Sequence, residues 1–303
     1  EMRMEANRTL GNNELWSGEF EAAQIHLRQV IDLYGDAPVD RVRRRFEQDP
    51  LVANRCMLAW TYCMLARSPL ARSEIDHARL RALQMDHAFT SAFAHGGAMW
   101  MHRFLQEYEA AHHWADQCVE LCAENGFAYM EVAGRSVRSW AASHLDGDAS
   151  HAREMRDVLE RWRGRGTTTG LSSFLILRAE ALLAAGRPAA AQAVLNDPAV
   201  RERTATTRWL EADVHRVAAQ SIQAMKRPVR DAQAAYRQSL TVARGQGAKL
   251  PALRAAMELA TLCLDGGEPE AAPEPTIGLL EEALADRKST RLNSSHQIIS
   301  YAV

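Results

Sequence analysis

Apolar residues recur along this chain at every third or fourth position, the spacing of one buried helix face. These stretches are interrupted by short breaks of Gly, Pro or a polar pair. After each break the same order returns: an aromatic or apolar residue, a small residue three further on, then packing residues four and seven beyond. "SGEFEAAQIHLRQV" shows it with Phe20, Ala23, Leu27 and Val30. "LQEYEAAHHWADQC" repeats it with Tyr108, Ala111, Ala115 and Cys118. "AAGRPAAAQAVL" gives Pro188, Ala191 and Leu195, and "RPVRDAQAAYRQSL" gives Val229, Ala232, Tyr236 and Ser239. Fainter copies centre on Ser73, Ala152 and Ala272. The small residues therefore stand at 23, 73, 111, 152, 191, 232 and 272; after a first interval of fifty, the steps run from 38 to 41.

Unrelated helices do not keep such a period. The pattern predicts an all-α chain of about seven helix pairs stacked as an α-α superhelix. Each element has a physical part. Gly or a polar pair ends the first helix by allowing a left-handed cap. The small residue lets two helix backbones approach, and the residues beyond it share the face that meets the next pair. One pair cannot bury its apolar face alone, so the pairs stack into a right-handed solenoid with a continuous core.

The order of small and large residues resembles the tetratricopeptide repeat. The period is longer than that family's 34 residues, and the family's W-x-x-L-G-x-x-Y signature is missing from the first helices. "MLAWTYCML" and "GAMWMHRFL" carry Trp60 and Trp100 without the glycine. The last units resemble something more specific, the end of the helical-repeat region of bacterial STAND-type regulatory ATPases. Many of these carry a class III nucleotidyl cyclase domain in front. Trp209, Ala212, Asp213 and Arg216 fit that family's W-x-x-A-E-h-x-R, with Asp for the usual Glu. Ala232, Tyr236, Leu240, Ala243, Arg244, Gln246, Gly247, Ala248 and Lys249 fit its next helix, and Leu253, Arg254, Ala255, Ala256, Leu259 and Ala260 fit its L-R-A-A-x-x-L-A. Ala218 and Ala219 stand where the family prefers glycine. The resemblance implies a structural arm of a regulatory protein and assigns no chemistry to these residues.

Composition changes the picture at the C-terminus. Before Asp286 the only lysines are Lys226 and Lys249, against more than thirty arginines. "DRKSTRLNSSHQIISYAV" departs from this bias and from any helical period, and it resembles the in-frame translation of a short-read sequencing-library adapter. The expected organisation is a repeat domain over 1–285, a fragment of a larger protein opening on Glu1, and an artefactual or disordered tail over 286–303. Net charge is −2 and grows more negative without that tail, so there is no cation excess for nucleic acid. No stretch is long and apolar enough for a membrane span. Cys56, Cys63, Cys118, Cys122 and Cys263 all fall in apolar helical stretches and read as reduced core thiols of a cytoplasmic protein.

No residue set converges on a reaction. "RGQGAK" has Gly245 and Gly247 before Lys249, but lacks the spacing and the following Ser or Thr of a phosphate loop; it reads as a helix end. Gly164 to Gly170, "GRGTTTG", reads as an interhelix loop. Cys118 and Cys122 share a helix face near His112 and His113, a spacing zinc could use, yet Cys118 holds a packing position of the repeat. His215 and Glu211 lack the H-E-x-x-H context, and Asp213 with Arg216 reads as an ion pair on a helix surface. Glu281 and Glu282 read as a solvated face, and so does the basic run from Arg41, flanked by Asp40, Glu47 and Asp49.

No catalytic, cofactor or metal residues are therefore assigned. Trp60, Trp100, Trp140 and Trp209 are placed in first helices, which in such superhelices line the concave groove; tryptophan there is either core or a docking anchor. The functional expectation is a non-catalytic sensor or scaffold arm that binds a protein, peptide or small effector in its groove, or its own upstream domains. The alternative is a stand-alone adaptor for partner peptides. A helical enzyme ranks last.

Overall fold

Left-handed residues punctuate the chain at regular intervals and fix where each helix pair folds back. They are Gly18, Ala66, Gln106, Gly147, Gly186 and Lys226, with φ between 53° and 80°. At all of these turns but Gly147 the amide following the left-handed residue reaches back to close the helix end, as when Arg67 N donates to Tyr62 O (2.8 Å), Glu107 N to His102 O (3.0 Å) and Arg187 N to Leu182 O (2.8 Å). This is the hydrogen bond that satisfies the last carbonyls of a helix. Three of the six residues have a Cβ, so the turn is imposed by packing on both sides and not by glycine alone.

The computed structural model describes residues 2–34, 48–201 and 208–265. All regular structure among them is helical. We number the helices α1 (Met2–Ser17), α2 (Phe20–Tyr34), α3 (Pro50–Met64), α4 (Ser68–Met85), α5 (Ala88–Phe104), α6 (Tyr108–Asn125), α7 (Ala128–Asp146), α8 (Ala149–Gly164), α9 (Leu171–Ala184), α10 (Pro188–Leu195), α11 (Pro198–Arg201), α12 (Glu211–Ala224), α13 (Val229–Gly245) and α14 (Lys249–Asp265). They form six antiparallel pairs, α1/α2, α3/α4, α5/α6, α7/α8, α9/α10 and α12/α13, followed by α14 as the first helix of another unit. The seventh small residue, Ala272, the basic run from Arg41 up to Glu47, Glu281, Glu282 and the 286–303 tail lie outside the described residues. Asp49 is described: it caps α3, accepting from Leu51 N at 2.8 Å, and it pairs with Arg81 Nε at 2.6 Å.

The repeat positions are confirmed with one correction. Ala23, Ala111, Ala152, Ala191 and Ala232 are fully buried. In the second unit, however, Ser73 is exposed and Ala71 is the buried small residue. Ala71 lies five residues after its left-handed turn residue, as do Ala23, Ala111, Ala152 and Ala191. The fifty-residue first interval thus shortens to 48, and the excess falls in the connection between α2 and α3.

The first helices also pack on one another, α3 on α5, α5 on α7, α7 on α9, α9 on α12 and α12 on α14. Backbones approach closely here. A Cβ at Gly97 of α5 would lie 2.3 Å from Cys56 Sγ of α3, and Trp60 Nε1 donates to Gly97 O at 3.0 Å. The last of these helices, α14, then packs back against α3. The solenoid winds far enough for its inner helices to close a ring, α14 against α3, so the expected concave groove is narrowed to the interior of that ring.

Candidate functional site

Two sets of side chains fill that interior. The first is a knot of charges. Arg103 near the end of α5 reaches Glu180 of α9 (Nη2 to Oε2, 3.0 Å) and Asp213 of α12 (Nη1 to Oδ2, 3.3 Å). Arg216, one turn beyond Asp213, donates to it at 3.0 Å, to Glu180 Oε1 at 2.6 Å and to Glu258 of α14 at 3.3 Å. Trp140 Nε1 of α7 donates to Glu180 Oε2 at 2.9 Å, and Arg254 of α14 donates to the Phe104 carbonyl. Arg103 and Arg216 are each 2 % exposed. Five inner helices are pinned to one another in this way.

Burial pushes the Glu180 carboxyl up, but the Arg103 and Arg216 guanidiniums outweigh it and hold the group below the usual carboxylate range. Asp213 follows the same balance: burial raises it, and Arg216 and then Arg103 hold it well below the usual carboxylate range. Burial dominates at Arg254, which falls to about 10, and at Glu258, whose carboxyl is raised. Arg103, Arg216, Glu180, Asp213 and Glu258 are paired with one another, as buried charges must be.

The second set is a cavity of about 380 Å³ walled by rings. Trp60 of α3, Phe89 and Phe93 of α5, Tyr129 of α7 and Phe174 of α9 contribute, with Trp100, Met99 and Met130. Trp16 from the end of α1 and Trp209 from the turn before α12 complete the wall. Trp16 and Trp209 meet edge to face with centroids 4.6 Å apart, and Trp209 also lies 5.5 Å from Trp100 and 6.2 Å from Trp60. Such ring pairs contribute about 0.5–1.5 kcal/mol each beyond their burial. Trp209 Nε1 donates to Ser173 Oγ at 3.3 Å. Thr169, Gly170, Ser172 and Ser173 supply the polar rim, and among the described residues none that lines the cavity is Asp, Glu, Lys, Arg or His.

This composition selects by charge. A cation over a Trp face gains about 0.5–2 kcal/mol. Stripping a charge of water without a counter-ion costs several kcal/mol, so the cavity favours neutral, apolar groups.

The seam between the two ends of the array runs beside this cavity. The Trp16 carbonyl accepts from both Arg208 N (2.8 Å) and Trp209 N (3.2 Å), and Gln246 Nε2 donates to the Arg208 carbonyl at 2.7 Å. The first pair is thereby tied directly to the last.

Several expectations change. Asp213 and Arg216 do pair at the predicted spacing, but in the buried centre and not on a surface. Trp209 precedes α12 instead of lying in it. Trp60, Trp100 and Trp209 are buried cavity walls, and Trp140 is core. "GRGTTTG" is an interhelix loop, as read from its sequence, and its Thr169 and Gly170 close the cavity's rim. Gly247 is left-handed at the end of α13. Cys118 and Cys122 are buried with their sulfurs 3.9 Å apart, while His112 turns to Asp116 at 3.3 Å. Among the described residues no cluster of three or more His, Cys, Asp or Glu side chains is arranged to hold a metal, and no helix is long and apolar enough to cross a membrane. All five thiols are free and buried, and burial pushes Cys63 up to about 12.

No protein-family profile and no curated protein matches the chain. Among solved structures it superposes on NprR in complex with its cognate peptide NprX, with a TM-score of 0.56 over 95 % of this chain and 80 % of that one, at 14 % identity. That likeness concerns the fold: the chain is a tetratricopeptide-like helical solenoid.

Proposed function

We propose that this chain is a non-catalytic binding arm, a helical-repeat sensor or scaffold that takes a peptide or small effector into its ring-walled interior. The observation that carries this reading is the aromatic cavity, assembled from six separate units of the array and, among the described residues, lined by none that is charged. A solenoid suits the task because its curvature is the sum of many small interfaces, and a ligand touching several of them favours one curvature over others. NprR, a neighbour in fold, was solved with a peptide, which makes a peptide the first ligand to try.

Selection from a displayed random-peptide library on the immobilised chain tests the reading. The expected result is enrichment of peptides with a large apolar anchor that change the chain's tryptophan fluorescence. Absence of any enriched peptide, or enriched peptides that leave the tryptophans unaffected, overturns it.

The finer reading places this arm in a cytoplasmic STAND-type ATPase or nucleotidyl cyclase, where it would hold the catalytic domains in one state until its ligand arrives. Its support is the run from Trp209 through Ala260. A reading frame encoding a Walker motif or a cyclase domain ahead of Glu1 supports it, and a frame of repeats alone favours a stand-alone peptide adaptor.

A further inference from the structure

We infer that the cavity binds a small, neutral ring compound, and that its occupation locks the first helix pair to the last. This deepens the binding-arm reading and rests on it for the site alone.

The ligand class follows from the walls. Of the sixteen described residues that line it, eight are Trp, Phe or Tyr, two are Met, and none carries a charge. The few polar groups lie on one side, in the Thr169–Ser173 stretch, where Ser173 Oγ is already engaged by Trp209. A sugar would arrive with more hydroxyls than this rim can satisfy, and an ion would lack a counter-charge. A flat apolar group with at most one or two polar atoms matches both the rings and the rim. The volume, about 380 Å³, is at the small end of ligand sites, roughly 300–1,000 Å³.

The locking follows from where the walls come from. Trp16 belongs to α1 and Trp209 to the turn before α12, and what ties these two segments is local: two amides on the Trp16 carbonyl and the ring pair itself. A molecule held among Trp16, Trp60, Trp100 and Trp209 adds contacts that exist only while the ring of helices is closed. By linkage it must shift the array toward closure.

The test uses the 303-residue chain with N-phenyl-1-naphthylamine as neutral ring probe, and choline and maltotriose as cationic and sugar probes. Two variants fill the cavity from different helices. Gly96→Leu does so from α5, where an added Cβ meets only the terminal methyl of Met130 at 3.3 Å and that of Met99 at 3.9 Å. Ala133→Leu does so from α7. Melting curves establish that at least one is folded.

The neutral probe is expected to bind one per chain, at least about tenfold more tightly than the other two. The folded variants are expected to weaken it about tenfold or more. Hydrogen exchange at the Arg208 and Trp209 amides is expected to slow on saturation. Equal binding of choline or maltotriose, or unchanged binding by a folded variant, overturns the ligand assignment. Unchanged exchange at both amides overturns the locking. If displayed peptides bind the chain while the neutral probe does not, this inference falls and the binding-arm reading stands; a probe that binds where no peptide is enriched gives the reverse.

Discussion

The charged knot and the ring-walled cavity occupy the same interior, yet they are filled on opposite principles. In the knot, Arg103, Glu180, Asp213 and Arg216 satisfy each other with hydrogen bonds of 2.6–3.3 Å, and direction matters. In the cavity, rings meet at varied angles, from the stacked Trp60 and Phe93 to the edge-to-face Trp16 and Trp209, and leave room. Buried charges held in this way give little net stability, but they penalise every arrangement that separates them. Apolar rings reward closure without dictating one exact geometry. The knot fixes how the inner helices are registered, and the cavity is the part that can accommodate something else.

The sharpest way to break this comparison is at Glu180, which touches two guanidiniums and an indole. Glu180→Leu leaves Arg103 with Asp213 alone and Arg216 with Asp213 and Glu258, and the expected loss is about 3–5 kcal/mol by urea unfolding. A loss under about 1 kcal/mol would mean the knot is not organised as described. Next comes Gly97→Ala, which pushes a methyl into Cys56 between α3 and α5; overpacking there is expected to cost about 1–3 kcal/mol in the same assay.

Acid separates the two regions without mutation. The Glu180 and Asp213 carboxyls lie below their ordinary values of 4.5 and 3.8 in the folded chain. The unfolded chain therefore takes up their protons first as pH falls. Their contribution is complete above about pH 5, and it is lost as pH drops through the ordinary values toward the folded ones. Glu258, whose carboxyl is raised, opposes this in part. Urea midpoints measured from pH 7 to pH 3.5 are expected to fall by the equivalent of about 1–2 kcal/mol beyond those of a Glu180→Leu chain. Parallel curves would contradict the assignment.

The smallest effect is on the cavity side. Ser173→Ala removes the acceptor of Trp209 Nε1 and is expected to cost about 1 kcal/mol, with a changed indole emission and an unchanged acid profile.

The helix pairs were legible in the sequence because each obeys a local rule. Ala23, Ala111, Ala152, Ala191 and Ala232 are small because backbones meet there, and their spacing is written directly in the chain. Ser73 misleads because it stands three residues after the apolar Leu70, the spacing of the other copies; the left-handed Ala66, five positions before Ala71, is the truer marker. The interior was not legible. Arg103 and Asp213 meet across 110 residues, and whether they do depends on curvature accumulated over every intervening interface. A clue was present in Arg103 within "MWMHRFL" and Glu180 within "AEALLA", charges of opposite sign in apolar surroundings. Such residues are rarely buried unless paired. Asp213 and Arg216 were read correctly as a pair and misplaced, since i,i+3 spacing states who neighbours whom on one helix and not what covers them.

Closure of the helical ring is the claim on which the cavity, the seam and the ligand assignment all depend. It is tested most directly by nuclear Overhauser contacts between the selectively labelled indole rings of Trp16 and Trp209, whose centroids lie 4.6 Å apart. Strong cross-peaks between the two rings are the predicted result. Their absence in a folded chain, with the Trp209–Trp100 cross-peaks present, would mean that the array is open and the two ends do not meet.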